Sequence, residues 1–164
     1  MAIWRVGETR TSERRVAIIG GGFSGAAVAA AMLRQGRSCP HIVLIEQEKR
    51  VGRGLAYGPA ADRHLLNIQA ANISARADAP DDFSDWLARG RGGDQSARFA
   101  PRRVYGAYLE DMLHNAARQN RGALTRLRGK AESCRRENEH WRVTLESGRV
   151  IEADAVVLAL GAPP

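Results

Sequence analysis

The most constraining feature of this chain is a glycine-rich turn that joins a short apolar run to an alanine-rich stretch. Residues 15–19 are Arg-Val-Ala-Ile-Ile, and the turn Gly20-Gly-Gly-Phe-Ser-Gly25 follows directly. An apolar run of this length that ends in glycines is typical of a buried parallel strand. The alanine-rich residues 24–35 predict a helix closed by Gly36, and residues 41–45 predict a second buried strand. Together they have the size of one strand–helix–strand crossover.

The spacing of the glycines is that of a turn that binds the pyrophosphate of a dinucleotide. Gly20 permits the tight turn, Gly22 lets the backbone approach the anion, and Gly25 lets the helix pack closely on the strand. Phe23 and Ser24 are candidate ligand residues as well, because the free N–H groups and the dipole at a helix N-terminus favour anions. The alternative is a glycine-rich structural turn that holds no ligand.

An acidic residue, Glu46, ends the second predicted strand. A carboxylate at this position accepts hydrogen bonds from a ribose diol. It would repel a 2′-phosphate, so it favours FAD or NAD over NADP as the ligand. The alternative is an exposed acid at a strand end. Gln47, the next residue, is included among the candidate cofactor-binding residues.

The composition is that of an ordinary globular domain. The chain has 164 residues, of which 44% are hydrophobic and 26% charged, and this length is enough for one core. No apolar run approaches the ~20 residues of a membrane helix. Residues 1–14 predict a polar tail and contain no apolar segment of a secretory signal. We therefore expect a cytoplasmic protein with no membrane partner.

The net charge of +7 comes almost entirely from dispersed arginines. An excess of basic residues can indicate that a protein binds nucleic acid. No long basic run with interleaved aromatic residues is present here, so no nucleic-acid partner is predicted. Cys39 and Cys134 are too far apart for a redox or zinc motif, and the histidines are scattered. No metal site is predicted, and no residue is predicted to be catalytic, because none forms an acid, base or nucleophile pattern.

The rest of the chain predicts loops, two helices and several short strands. Glycines and prolines break any periodicity over residues 50–80. A short helix is predicted over 81–88 with Asp81 or Asp82 as its cap, and an amphipathic helix over 104–119. Turn residues separate the short strands, which are predicted at 123–127, 131–136, 141–145, 150–151 and 155–160.

Several segments resemble the FAD-NAD(P)-binding domain found in many bacterial flavoproteins. This domain is similar to the FAD domain of glutathione reductase-like enzymes and flavin monooxygenases. The matching segments occur in the family's order and together cover about residues 15–162; they lie at 16–25, 52–58, 64–67, 82–87, 101–109 and 153–161.

The resemblance implies roles for further residues. The loop 52–57 would run along the FAD pyrophosphate and ribityl chain, with Arg53 as the charge partner and Gly54, Leu55, Ala56 and Tyr57 beside it. His64 and Asn67 would approach the flavin. Lys130 and Ala131 would meet the adenine through their backbone. Ala159 and Gly161 would form the second flavoprotein motif, next to the pyrophosphate.

Two departures from related enzymes limit the chemistry that the resemblance implies. No cysteine occurs in residues 47–75, which argues against the dithiol chemistry of the disulfide-reducing enzymes. No second G-x-G-x-x-G motif occurs, so an NAD(P)H site would lie in a domain outside this chain. We expect residues 15–164 to be an incomplete FAD domain that lacks the NAD(P)H domain and the final strand. Its expected partner is a missing C-terminal domain or a second copy in a homodimer.

The predicted fold is a Rossmann-like three-layer α/β domain. A parallel central sheet with residues 16–20 at its centre would carry helices on one face and a β-meander of residues 131–152 on the other. The predicted function is the FAD-binding domain of an NAD(P)H-dependent flavoprotein oxidoreductase of the monooxygenase or hydroxylase type. The alternative is a non-catalytic module that binds FAD or NAD and acts with another chain.

Overall fold

A computed structural model of the chain describes residues 14–58, 64–91 and 98–161. The predicted N-terminal tail lies outside the described residues except for Arg14. The described segments contain three α-helices, which are α1 (Phe23–Leu33), α2 (Asp82–Trp86) and α3 (Arg102–Gln119). They also contain seven strands, which are β1 (Arg15–Ile19), β2 (His41–Glu46), β3 (Leu124–Arg128), β4 (Ala131–Glu137), β5 (His140–Leu145), β6 (Val150–Ala153) and β7 (Ala155–Leu158).

The strands form two sheets. Four of them make a parallel central sheet in the order β3-β2-β1-β7, which places β1 between β2 and β7 as the sequence predicts. The other three, β4, β5 and β6, form an antiparallel meander. Since Asp154 alone separates β6 from β7, the meander passes directly into the central sheet.

The two faces of the central sheet are covered by different layers. Ile18 and Leu44 belong to the core that contains the helices, whereas Ile19 and Ile45 belong to the core that contains the meander. Successive side chains of a strand point to opposite faces, so a strand buried on both faces is apolar along its whole length. The three-layer α/β fold predicted from the sequence is confirmed.

The helices bury the faces that their sequences predict. Val104, Tyr108, Met112 and Ala116 of α3 are all buried, at the four-residue spacing of one helix face. Helix α1, which packs on α3, is rich in alanine, and small side chains let the two backbones approach. No helix within the described ranges is long and apolar enough to cross a membrane.

The main departures from prediction lie at the ends of elements. Helix α2 ends at Trp86 and continues as a π-helical turn to residue 91, inside which Gly90 has a φ of 77°. Asp81 is the N-cap of α2 but makes no side-chain cap hydrogen bond. Asp82 instead accepts a hydrogen bond from the buried Tyr108 hydroxyl at 2.8 Å, because a buried hydroxyl needs a partner.

Candidate dinucleotide-binding site

The predicted cofactor-binding residues meet at one edge of the central sheet. All four strands are parallel, so their carboxyl ends share an edge, which is where open α/β sheets bind ligands. The glycine loop of residues 20–25 follows β1, Glu46 ends β2, Lys130 follows β3 and Ala159 follows β7. The topology therefore brings together residues that are far apart in the sequence.

Two glycines of the loop are required by the packing of the protein itself. Gly20 has a φ of 100°, and a Cβ there would overlap the carbonyl oxygen of Ala159. A Cβ on Gly25 would overlap the carbonyl oxygen of Gly20. The first glycine thus permits the turn, and the third lets α1 pack against the end of β1.

Gly22 differs from these two glycines. Its φ of −67° is open to any residue. Among the described residues, a Cβ there would meet only backbone atoms of Gly54, the nearest at 3.5 Å, which is an ordinary contact. The N–H groups of Phe23, Ser24 and Gly25 meet no acceptor in the part of the chain that the structure describes. The loop therefore presents free donors, as a helix N-terminus that binds an anion must.

The carboxylate of Glu46 is held beside the glycine loop by two backbone donors. Oε2 accepts the N–H of Gly21 at 2.7 Å, and Oε1 accepts the N–H of Glu48 at 2.9 Å. A Cβ on Gly21 would lie 2.9 Å from the Cβ of Glu46, so glycine is needed there. Sequence reasoning did not include Gly21 in the site; the run of three consecutive glycines was the available signal.

The loop of residues 52–57 lies against the glycine loop. The N–H of Gly52 donates to the carbonyl oxygen of Gly21 at 2.6 Å. A Cβ on Gly54 would be 3.4 Å from Gly22 Cα, so the two glycines face each other. Leu55 is 89% exposed, and Ala56 is exposed as well. The structure thus places the two predicted loops together, with Leu55 and Ala56 open to solvent.

Arg53 makes an ion pair with Glu110 on α3, at 3.2 Å. Both side chains are partly buried, and the contact ties the loop to the helix. Tyr57 packs over Gly106 of α3, where a Cβ would be only 2.7 Å from the Tyr57 carbonyl oxygen. A role of Arg53 toward the pyrophosphate stays a prediction. Sequence reasoning missed Glu110 and Gly106; a glycine inside a helix was the signal for a close approach.

Three aromatic rings form a wall between the glycine loop and α3. The ring centroids of Tyr57 and Tyr105 are 5.0 Å apart, and Phe23 is 6.4 Å from each of them. Burial raises the pKa of Tyr105, so this phenol remains neutral at physiological pH. Phe23 is 39% exposed, which leaves part of its ring available to a ligand at the start of α1.

The segment that contains His64 and Asn67 runs beside the N-terminus of α3. The carbonyl oxygen of His64 accepts the N–H of Arg102 at 2.8 Å, and Leu66 donates its N–H to Ala100. The side chains of His64 and Asn67 are exposed. Since α3 runs antiparallel to the strand that follows it, its N-terminus lies at the carboxyl edge of the sheet, on the side of the glycine loop.

The turn after β3 abuts the end of β2. The N–H of Gly129 donates to the Glu46 carbonyl oxygen at 3.0 Å, and Arg128 Nε donates to the Gln47 carbonyl oxygen at 3.3 Å. Lys130 Nζ is 2.7 Å from Glu146 in an exposed ion pair, and Ala131 begins β4. The residues predicted to meet the adenine therefore adjoin Glu46, although no side chain there is specific for adenine.

The second flavoprotein segment reaches the glycine loop through Ala159. Its N–H donates to the Ile19 carbonyl oxygen at 2.8 Å, and its own carbonyl oxygen sits against Gly20. Gly161, with a φ of 74°, is exposed, and a Cβ there would meet none of the described residues within 4 Å. Ala159 is thus part of the loop's packing, and Gly161 lies in open space beyond it.

The fold and this edge define a Rossmann-like dinucleotide-binding domain. Residues 17–163 match the model of the FAD-NAD(P)-binding family, and the chain belongs to that family. The resemblance noted in the sequence is thereby confirmed. Among curated proteins, no sequence matches the chain.

Solved structures with the same fold include several oxygenases. S-allyl-L-cysteine S-oxygenase from Allium sativum has a TM-score of 0.65 at 21% identity, over 88% of this chain and 36% of that one. Cyclohexanone monooxygenase from Rhodococcus sp. Phi1, bound to NADP+, has a TM-score of 0.64 at 19% identity, over 92% of this chain and 26% of that one. Flavin-containing monooxygenase from Stenotrophomonas maltophilia has a TM-score of 0.62 at 23% identity, over 92% of this chain and 42% of that one. The chain thus spans less than half of each.

Proposed function

We propose that this chain is the FAD-binding domain of an NAD(P)H-dependent flavoprotein oxidoreductase of the monooxygenase or hydroxylase type. The observation that carries the proposal is the contrast within the glycine loop. Gly20 and Gly25 are explained by the packing of the protein, but Gly22 is not. A glycine that its own fold does not require, beside N–H groups without an acceptor, fits a site where a ligand approaches the backbone.

The residues at this edge fit the ADP half of FAD. The N–H groups at the start of α1 would hold the pyrophosphate, because they are free donors at the positive end of a helix dipole. Glu46 would accept hydrogen bonds from the ribose diol. Each of its oxygens already accepts one backbone N–H, which fixes the direction of the carboxylate and leaves further lone pairs for the ribose.

The remaining half of the cofactor would lie along the loop 52–57 and toward the segment that contains His64 and Asn67. When bound, the isoalloxazine ring of FAD supplies the redox chemistry, while the protein binds and orients it. The exposed Leu55 and the half-exposed Phe23 would cover apolar parts of such a ligand. The oxygenase activity of the structural relatives supports the monooxygenase type for this chain, since residues 17–163 belong to the same class of dinucleotide-binding domain.

A binding experiment with the 164-residue chain tests the proposal. FAD and ADP-ribose should both bind at one site in calorimetry. FMN, which lacks the AMP part of FAD and therefore the adenosine and the pyrophosphate bond, should bind at least tenfold more weakly. Tighter binding of NAD than of FAD would favour the NAD-binding module instead. Failure of every adenine dinucleotide to bind would show that the glycine loop is only a structural turn.

A further inference from the structure

A solvent-exposed, open cavity of about 610 Å³ lies at the surface of the helical layer, and small-molecule sites span ~300–1,000 Å³. Its walls come from the end of α1, from α2 and the residues around it, and from the last turns of α3. Met112 and Ala116, both buried, lie among its lining residues. The polar side chains around them include five arginines, which are Arg34, Arg76, Arg89, Arg118 and Arg121.

The charge of this arginine cavity is far from balanced. Among the described residues, Asp82 is the one acidic residue that lines the cavity. It already contacts Arg76 at 3.4 Å and accepts a hydrogen bond from the Tyr108 hydroxyl. Arg76 is also paired with Asp78 at 2.8 Å. In the described ranges of the chain, no carboxylate forms an ion pair within 4 Å of the other four guanidinium groups, although the Asp78 carboxyl, whose pKa is lowered mainly by Arg76, is near enough to Arg34 for that guanidinium to lower the pKa further. The C-terminus of α3, where Arg118 lies, offsets only about half a unit charge.

The cavity is remote from the dinucleotide site. Phe23 and Tyr105, next to the glycine loop, are each eleven positions from the cavity residues Arg34 and Ala116 on the same helices. At 1.5 Å per residue this separation is about 17 Å along each helix. Helices α1 and α3 therefore carry the two sites at opposite ends, so the FAD pyrophosphate does not account for the arginines.

We propose that the arginine cavity binds a small phosphorylated molecule with at least two anionic groups. Guanidinium groups match phosphate oxygens in a bidentate geometry and keep their charge at all physiological pH values. Asn115 and Gln119, which also line the cavity, add amide donors. The concave shape and the two apolar residues favour a compact molecule over an extended polyanion.

Calorimetry with inorganic tripolyphosphate as the probe tests this site. The double variant Arg34→Gln/Arg118→Gln should weaken binding at least tenfold, since each guanidinium makes a charge-assisted contact. The matched control is Arg135→Gln/Arg136→Gln, which removes the same charge from two exposed arginines of β4; it should change the dissociation constant less than twofold. Equal losses in both variants, or no binding by the unmodified chain, would overturn the proposal.

Two further measurements locate the probe and define its class. In amide NMR spectra, tripolyphosphate should shift Asn115 and Gln119 before it shifts Gly22 and Gly25; shifts confined to the glycine loop would contradict the site. A single-stranded oligonucleotide of matched charge should bind more weakly than tripolyphosphate at the same salt concentration. Tighter binding of the oligonucleotide would identify a nucleic-acid surface and overturn the proposal. Both double variants should keep the circular dichroism of the parent, because the four side chains are exposed.

Discussion

Glu46 and Gly21 interlock at the end of β2: the carboxylate accepts the glycine N–H at 2.7 Å, and any side chain at position 21 would collide with the glutamate. The contact fixes the acid proposed to bind the ribose and the loop proposed to bind the pyrophosphate relative to each other before a ligand arrives. Such preorganisation reduces the conformational entropy that would be lost when a ligand binds. Glu46 and the glycine loop therefore belong to one site, and separate mutations can test the contribution of each.

Gly22→Ala should weaken FAD and ADP-ribose binding at least tenfold, about 1.4 kcal/mol, while the fold stays intact. The new Cβ fits 3.5 Å from Gly54 but would occupy the space in which we propose that the pyrophosphate lies. Calorimetry and circular dichroism measure the two effects. The matched variant Gly25→Ala should instead destabilise the fold by about 1 to 3 kcal/mol, because its Cβ overlaps the Gly20 carbonyl oxygen. Unchanged affinity in Gly22→Ala would contradict the ligand role.

Glu46→Gln should reduce discrimination against a 2′-phosphate. If Glu46 faces the ribose, the carboxylate of the unmodified chain repels a 2′-phosphate, so ADP-ribose should bind at least tenfold more tightly than its 2′-phosphorylated analogue. The amide keeps the shape of the side chain and removes the charge, which should narrow the ratio of the two affinities severalfold. Because its NH2 group cannot accept the second of the two backbone N–H groups, both affinities should also fall. Competition calorimetry with both ligands measures it. If the unmodified chain binds the phosphorylated analogue equally well, Glu46 does not face the ribose.

Arg53 and Glu110 allow a test of whether the arginine serves the loop or the ligand. Glu110→Gln removes the ion pair at 3.2 Å and should cost about 1 kcal/mol of stability, as a partly exposed pair does. If Arg53 also contacts the pyrophosphate, Arg53→Gln should weaken FAD binding about tenfold and Glu110→Gln should not. Equal effects of both variants on affinity would assign Arg53 to loop anchoring alone. Urea unfolding and FAD titration separate the two readouts.

We expect the folded chain to lose stability in alkaline solution because of Tyr108. Burial raises the pKa of Tyr108 to about 12 in the folded chain, and its hydrogen bond to Asp82 acts in the same direction. The pKa of tyrosine in the unfolded chain is about 10. The contribution of the neutral Tyr108 to the stability of the fold is therefore complete below pH 10 and is lost as the pH rises toward 12. The loss is about 2 to 3 kcal/mol.

The check on Tyr108 is urea unfolding at pH 8 and pH 11 for the parent and for Tyr108→Phe. The variant should be less stable at pH 8, because it leaves Asp82 without its hydroxyl donor. Its further loss between the two pH values should be smaller than that of the parent, since the phenol no longer titrates. Identical pH slopes would show that Tyr108 does not contribute.

We expect the isolated chain to self-associate through the edge of the central sheet at β7. Within the described residues it forms one edge of the central sheet, and Leu158 and Leu160 beside it are 63% and 69% exposed. An open apolar edge is a template for pairing with another chain. Sedimentation should show a dimer, and Leu158→Lys should shift it toward monomer. Leu55→Lys, which changes an equally apolar and exposed residue in the loop 52–57, is the control. A monomeric parent chain would contradict the prediction.

Much of this molecule could be predicted from the sequence because the signals were local. The apolar runs at β1 and β2, the four-residue spacing of buried residues in α3, and the glycine spacing at residues 20–25 each reflect the geometry of a single element. The order of these elements then limited the chain to a small set of α/β topologies. Ligand roles of individual side chains stay predictions, since they depend on contacts with a molecule outside the chain.

Only the tertiary structure decided which distant residues became neighbours. Nothing near Arg53 in the sequence points to Glu110, and nothing near Gly106 points to Tyr57; folding of α3 against the loop 52–57 created both contacts. The arginines of the cavity look dispersed along the chain, yet the ends of α1 and α3 and the residues around α2 bring them to one site. The physical reason is that local periodicity determines which face of an element is buried, whereas partners across that face depend on packing of the whole domain.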